Sequence, residues 1–294
     1  MSVKELNAKW SRGGLSFVER DGQPVAIVEN QASALSISLY GGHILSWRPK
    51  GCDDVLWLSP ATRIEEGKSM RGGVPVCWPW FGPCPFDAKA PMHGLARISF
   101  WRMESFAEAS AEVSEITLGL NERSLPQQFK FQAFTLRLKV SVGKTLSFSL
   151  VTENSGSEPL SFSAGLHSYF KSGDIGKASV EGLDGFEYLD KVDSQEKRQA
   201  GIVRFTEKVD RIYRKAQSAR LVDGALKRSV SVDNPDANAM VVWNPGEGVE
   251  LQFPGFAKGD DRHFVCIEAA QPETRILRSG ERATLTSIAS IAAS

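Results

Sequence analysis

Residues 134–151 read FTLRLKVSVGKTLSFSLV, and their period decides the fold class. Leu136, Leu138, Val140 and Val142 alternate with Arg137, Lys139 and Ser141. A few residues on, Leu146, Phe148 and Leu150 alternate with Ser147, Ser149 and Val151. Successive side chains of a strand point to opposite faces, so a period of two predicts half-buried β-strands. The apolar phase slips near Ala133-Phe134, which predicts a bulge in a long strand. Ala34–Leu39, Val249–Phe253 and Ala283–Ile288 show the same alternation and are expected to be strands.

Helical periodicity is scarce. Residues 104–115 (ESFAEASAEVSE) and 206–217 (TEKVDRIYRKAQ) are the two candidate helices, with a short turn as the alternative for the second. Turn signals recur at Gly41-Gly42, Asp53-Asp54, Asn154-Ser-Gly156, Asp184-Gly185, Asn234-Pro235, Asn244-Pro-Gly246 and Ser279-Gly280. Many short strands with frequent turns argue for an all-β sandwich or barrel. No linker, low-complexity tract or internal repeat divides the chain, so residues 1–294 are expected to form a single domain.

Bulk properties exclude several roles. Lys+Arg and Asp+Glu balance at 35 each, so no charge excess points to nucleic acid or an anionic membrane. Any anion site must be local, built from a few placed arginines. No run of 18 apolar residues suggests a membrane span, and the opening MSVKELNAKW lacks the apolar segment of a secretory signal. A cytoplasmic protein with reduced, mostly buried thiols is the expectation for Cys52, Cys77, Cys84 and Cys266. The spacing of Cys77, Cys84 and His93 matches no familiar zinc pattern, so no metal is expected.

One segment has neither period. Arg71 to Arg97, RGGVPVCWPWFGPCPFDAKAPMHGLAR, holds two Trp, two Phe and five Pro. A long aromatic loop is expensive to order, so it either roofs a core or builds a site. Its ends carry Arg71 on two glycines and His93-Gly-Leu-Ala-Arg97, groups suited to an anionic, hydroxyl-rich ligand. Of the four histidines, His43 reads as structural and His263 as solvated, whereas His93 and His167 each stand near glycine at a loop or strand end. That makes those two the candidates for acid–base work. Glu268 sits in Phe264-Val-Cys-Ile-Glu-Ala-Ala, a buried strand by composition, where a carboxylate must be paired, hydrogen-bonded or perturbed in pKa. A structural salt bridge and a functional carboxylate are about equally compatible with that spacing. Asp210, in Glu207-Lys-Val-Asp-Arg-Ile-Tyr213, reads as exposed.

Taken together, these pieces resemble the aldose 1-epimerase superfamily, and within it the hexose-6-phosphate mutarotase branch. The resemblance rests on GGHILSWRP (41–49), VLWLSP (55–60), RGGVPVCWPWFGP (71–83), MHGLAR (92–97), GLHSYF (165–170), TEKVDRIY (206–213), VVWNP (241–245) and GDDRHFVCIEAA (259–270). It covers residues from about 40 to 285. Gly246 after VVWNP and Ala269 after Glu268 depart from the residues usual in the family. The resemblance implies a large antiparallel β-sandwich with a sugar site on its concave face. It implies that His167 is the general acid and Glu268 the general base of anomer interconversion. It places His93 and Asp210 against the sugar and Arg71 and Arg97 on a 6-phosphate. The implied partner is a small hexose phosphate, with no nucleic acid, membrane, cofactor or metal, and the expected state is a monomer. The alternatives are an aldose 1-epimerase acting on unphosphorylated sugars and a non-catalytic phosphosugar-binding protein.

Overall fold

The computed structural model describes residues 1–126, 128–129 and 131–293. Its regular structure is mostly antiparallel β-sheet in three sheets. The first is a four-stranded meander of Leu15–Arg20, Gln23–Glu29, Ser33–Ser38 and His43–Pro49. The second has nine strands. Toward one edge it places Arg228–Asp233 beside Arg282–Ala293, then Thr145–Asn154, Phe134–Val142, Val113–Asn121 and, at the edge, Arg102–Ser110. The third has eight strands and carries Asp210 and Glu268. Its middle is Val209–Arg214, Ala239–Asn244, Phe264–Leu277 and Leu160–Leu166, with Tyr169–Lys171 pairing alongside Phe264–Leu277.

A continuous apolar core joins the three sheets. Trp47 and Ile37 come from the first, Leu136, Leu138, Leu150 and Leu285 from the second, and Val242, Val265, Ile267 and Ala269 from the third. The alternation in 134–151 therefore has its cause in this core. Arg137, Lys139 and Ser141 stand on the outer face, where water can hold them. The third sheet differs, because both of its faces are covered. Val265, Ile267 and Ala269 face the core, whereas Cys266 and Ala270 belong to separate apolar clusters on the opposite face. Glu268 shares that second face by the strand's period of two.

The expected all-β antiparallel architecture holds, and four local expectations do not. Residues 104–115 are two strand segments, Arg102–Ser110 and the start of Val113–Asn121, not a helix. Their Ala and Glu favour helix, but Met103 and Phe106 bury against the core and pairing with the next strand overrides propensity. Residues 206–217 hold the strand Val209–Arg214. Val249–Gln252 is a single helical turn rather than a strand, its alternation being too short to discriminate. Pairing from Phe134 to Val142 runs without a register shift, so the phase slip at Ala133 marks the start of the strand and no bulge. A helix passed unread at Val3–Trp10. Ser2 Oγ accepts from Glu5 N–H and the Glu5 carboxylate accepts from Ser2 N–H, a reciprocal cap visible as Ser-x-x-Glu.

Candidate active site

Glu268 lies in the middle of Phe264–Leu277, flanked by Ala239–Asn244, in which Val241 is its cross-strand partner. On its other side the neighbouring chain is interrupted. Leu160–Leu166 pairs up to Ala269, and Tyr169–Lys171 resumes pairing at Cys266. His167 and Ser168 fill the gap, with Ser168 C=O accepting from Ile267 N–H. This break brings a histidine against a carboxylate just over a hundred residues away. His167 Nδ1 stands 3.4 Å from Glu268 Oε1.

Glu268 is 1% exposed and its Oε2 has no hydrogen-bond partner. Burial, with the nearby Asp210 adding like charge, pushes its carboxyl well above the ordinary range. His167 is held well below the ordinary imidazole value by burial first, then by His93, Arg97 and Arg71. Both effects favour the uncharged forms. The His167 ring stacks on Tyr169 at 4.8 Å and meets Trp243 edge-on at 5.8 Å, so its orientation is fixed by packing.

The aromatic segment both covers the core and builds the site. Trp78 and Trp80 are buried in the core. The chain then returns so that His93 N–H donates to Gly82 C=O at 2.7 Å and Gly82 N–H donates to His93 Nδ1 at 3.1 Å. A neutral His93 therefore carries its proton on Nε2. Its pKa is drawn down to about 3, by burial first and then by Arg97 and Arg71. Gly94 makes this return possible: with φ +80°, its missing Cβ would lie 2.1 Å from the Trp78 carbonyl oxygen. The His93 and His167 rings lie 5.6 Å apart. Phe81 meets His93 edge-on at 5.1 Å and occupies the space that a side chain at Gly165 would need.

The two arginines arrive from either end of the segment. Arg97 is 7% exposed, donates through Nη2 to Met92 C=O at 2.6 Å and leaves its buried Nε without a partner. Arg71 donates through Nε to Pro254 C=O at 2.9 Å, with its guanidinium over Phe253 and Phe256. Among the described residues, neither arginine has a carboxylate within 4 Å. A buried guanidinium without a counter-ion is costly unless an anion completes it.

Asp210 is the one residue whose sequence reading fails. It is half-buried on Val209–Arg214, opposite Trp243 and on the same face as Glu268. Burial raises its carboxyl, with Asp190 adding to the shift. His43, read as structural, is buried with its Nε2 2.7 Å from Gly72 C=O. His263 is exposed. Three residues at the site went unnoticed: Tyr169, Trp243 and Cys266. Each stands two residues from a candidate or directly opposite one, so the period of two was the available signal. A separate cavity of about 830 Å³, walled by Asp174, Glu207, Asn244, Glu250, Asp261 and Arg262, contains none of the six candidates. Chemistry rather than cavity size locates the site.

The geometry amounts to a proton-transfer pair beside two uncompensated cations, walled by aromatic rings. A model of the family described as aldose 1-epimerase matches residues 24–290. A protein of Escherichia coli K12, provisionally named glucose-6-phosphate 1-epimerase, is 36% identical over 259 residues, covering 87% of this chain and 86% of its own. A Salmonella typhimurium LT2 protein with the same provisional name is 33% identical over 257 residues, 86% of this chain and 85% of its own. The crystal structure of a Salmonella typhimurium protein, provisionally called a mutarotase, superposes with a TM-score of 0.88 at 31% identity. It covers 95% of this chain and 94% of that one.

Proposed function

Because this chain belongs to the aldose 1-epimerase family, we propose that it interconverts the α and β anomers of a hexose 6-phosphate, glucose 6-phosphate first among them. The observation that carries the reading is the His167–Glu268 pair at 3.4 Å beside Arg71 and Arg97, two arginines without carboxylate partners. Opening a hemiacetal requires one group to take the proton from the C1 hydroxyl and another to give one to the ring oxygen. Glu268 is the base and His167 the acid. Rotation about C1–C2 and closure on the other face yield the second anomer, and the two groups exchange roles. Positioned proton transfer of this kind contributes roughly 10²–10⁴-fold. His93, through Nε2–H, and Asp210 bind sugar oxygens, and Arg71 and Arg97 bind the 6-phosphate through charge-assisted bonds.

Burial favours neutral Glu268 and neutral His167 at rest, so its help to catalysis lies in the strength of Glu268 once that carboxyl is ionised. A carboxylate stripped of water and facing no cation is a stronger base than one in solution. The same reading has residues 1–294 working as a single domain, as a monomer in the cytoplasm, with no cofactor. Among the described residues no helix is long and apolar enough to cross a membrane. The arginines favour phosphosugars over free aldoses as substrates, and the retained acid–base pair favours turnover over mere binding.

Exchange spectroscopy of the anomeric protons tests the proposal. Catalytic amounts of protein should speed cross-peak build-up for glucose 6-phosphate well above the uncatalysed rate, and less so for glucose or galactose. Equal acceleration of all three would reassign the chain to free aldoses, and no acceleration would leave a binding protein.

A further inference from the structure

A third donor stands beside the acid and the base. Cys266 precedes Glu268 by two residues on the same strand, so both side chains leave the sheet on one face. One donor atom from each of His167, Cys266 and Glu268 lies within 4.8 Å of the other two, and all three residues are buried. Two atoms of this group, His167 Nδ1 and Glu268 Oε2, are buried without any hydrogen-bond partner. Asp210, the charge that acts on Glu268, has the same sign. An imidazole nitrogen, a thiol and an unpaired carboxyl are thus gathered in a buried cluster.

We propose that His167, Cys266 and Glu268 form an inhibitory binding site for a soft divalent cation such as Zn²⁺ or Cd²⁺. One nitrogen, one sulfur and one oxygen ligand, with a fourth position left to water, is a donor set that suits these ions. Zinc bonds of about 2.0–2.3 Å require tetrahedral donors roughly 3.3–3.8 Å apart. From a cluster spanning 4.8 Å, closure needs side-chain adjustments on the ångström scale. Binding exchanges two protons for the ion: the thiol and the carboxyl each lose one to solvent, and the imidazole contributes its lone pair. Arg71 and Arg97, whose charges act on His167, oppose a cation here. Thiolate affinity must outweigh that repulsion, so a hard ion such as Mg²⁺ is excluded. The binding step stands on the geometry alone. Inhibition rests on the proposed roles of His167 and Glu268, because the metal occupies the base and the acid together.

Two readouts separate these claims. Cd²⁺ is titrated into Cys52→Ser protein, which removes the half-buried thiol, and the ultraviolet charge-transfer band of a cadmium thiolate is followed. A saturable band at one equivalent is expected. It should vanish in Cys52→Ser/Cys266→Ala, and its persistence there would overturn the site. In parallel, Zn²⁺ should slow anomer exchange competitively with glucose 6-phosphate, while Mg²⁺ at the same concentration should not. In Cys266→Ala the half-inhibitory Zn²⁺ concentration should rise roughly tenfold or more through loss of the soft ligand. Unchanged inhibition in that variant would refute the proposal. Cys266→Ser supplies the same test should alanine fail to fold. A cadmium band from protein that never exchanges anomers would leave the metal site standing and remove the proposed function. Intact exchange without a band would remove the metal site alone.

Discussion

On the outer face of the nine-stranded sheet, Arg137 donates to Glu104 at 3.0 Å and to Glu153 at 3.2 Å. Arg102 shares Glu104 at 2.6 Å and Arg282 shares Glu153 at 3.1 Å. Around the Glu268 face of the eight-stranded sheet the same residue types are handled in the opposite way. Glu268 faces Asp210 rather than a cation, and Arg71 and Arg97 rest on backbone carbonyls. The surface network is paired, partly hydrated and individually weak. The ionisable groups at the site are largely desolvated, and Glu268 Oε2, His167 Nδ1 and Arg97 Nε lack partners. The contrast separates two uses of charge: one finished within the chain, the other left for a ligand to complete.

The sharpest way to break the contrast is to neutralise the acid–base pair. Glu268→Gln and His167→Ala should each slow anomer exchange by on the order of 10²-fold or more with the fold retained. Folded variants with near-wild-type exchange would mean that the unpaired groups are structural after all. Next come the cations. Arg97→Ala and Arg71→Ala should each reduce use of glucose 6-phosphate by about tenfold or more and that of glucose far less, because charge-assisted bonds are worth roughly 1.5–3 kcal/mol. Equal losses for both sugars would show that the arginines shape the pocket instead of holding phosphate.

Stability should respond with opposite signs in the two regions. The folded-state carboxyl of Glu268 is raised above its unfolded value of about 4.5, so its contribution is present at low pH and lost as pH rises through the folded pKa. Gln does not titrate. The melting temperature of Glu268→Gln should therefore exceed that of wild type by a margin that widens as pH climbs above about 4.5. A margin that narrows would reverse the direction of the shift. Arg137→Ala, in the paired network, should lower stability by no more than about 1 kcal/mol and leave exchange unaltered. The smallest effect expected is none at all: exhaustive dialysis against EDTA should leave full exchange activity, and loss restored by a divalent ion would replace the acid–base mechanism with a metal-dependent one.

Strands with one wet face were legible because alternation records the difference between core and solvent, as in Phe134–Val142. Legibility failed where that difference was blurred. Phe264–Ala270 is buried on both sides, so its composition marked it as buried but not which side Glu268 faced. Val209–Arg214 has its polar Asp210 turned toward the site rather than toward water, and it looked like an exposed helical turn for that reason. Edge strand Arg102–Ser110 carries outward Ala and Glu that packing never tests. Five residues of the site were found singly from their local sequence, and Asp210 only through the family resemblance. Their contact was not legible, because the break at His167-Ser168 that joins the two strands is a tertiary event.

Gly165 offers a different kind of lesson, about what could be engineered here. It pairs with Ala270 on one side and Cys77 on the other, in ordinary extended backbone. Its lack of a side chain serves no conformational need. A methyl group built there would lie 2.5 Å from the Phe81 ring. Phe81 in turn leans on His93 and on the cluster of Ala239, Val241 and Ala270. Position 165 therefore sets where the Phe81 ring can lie: each carbon added there displaces the ring and with it the edge contact to His93. A library of substitutions meant to reshape this wall would begin at this glycine, reaching His93 only through Phe81 and replacing no group that carries a proton or a charge.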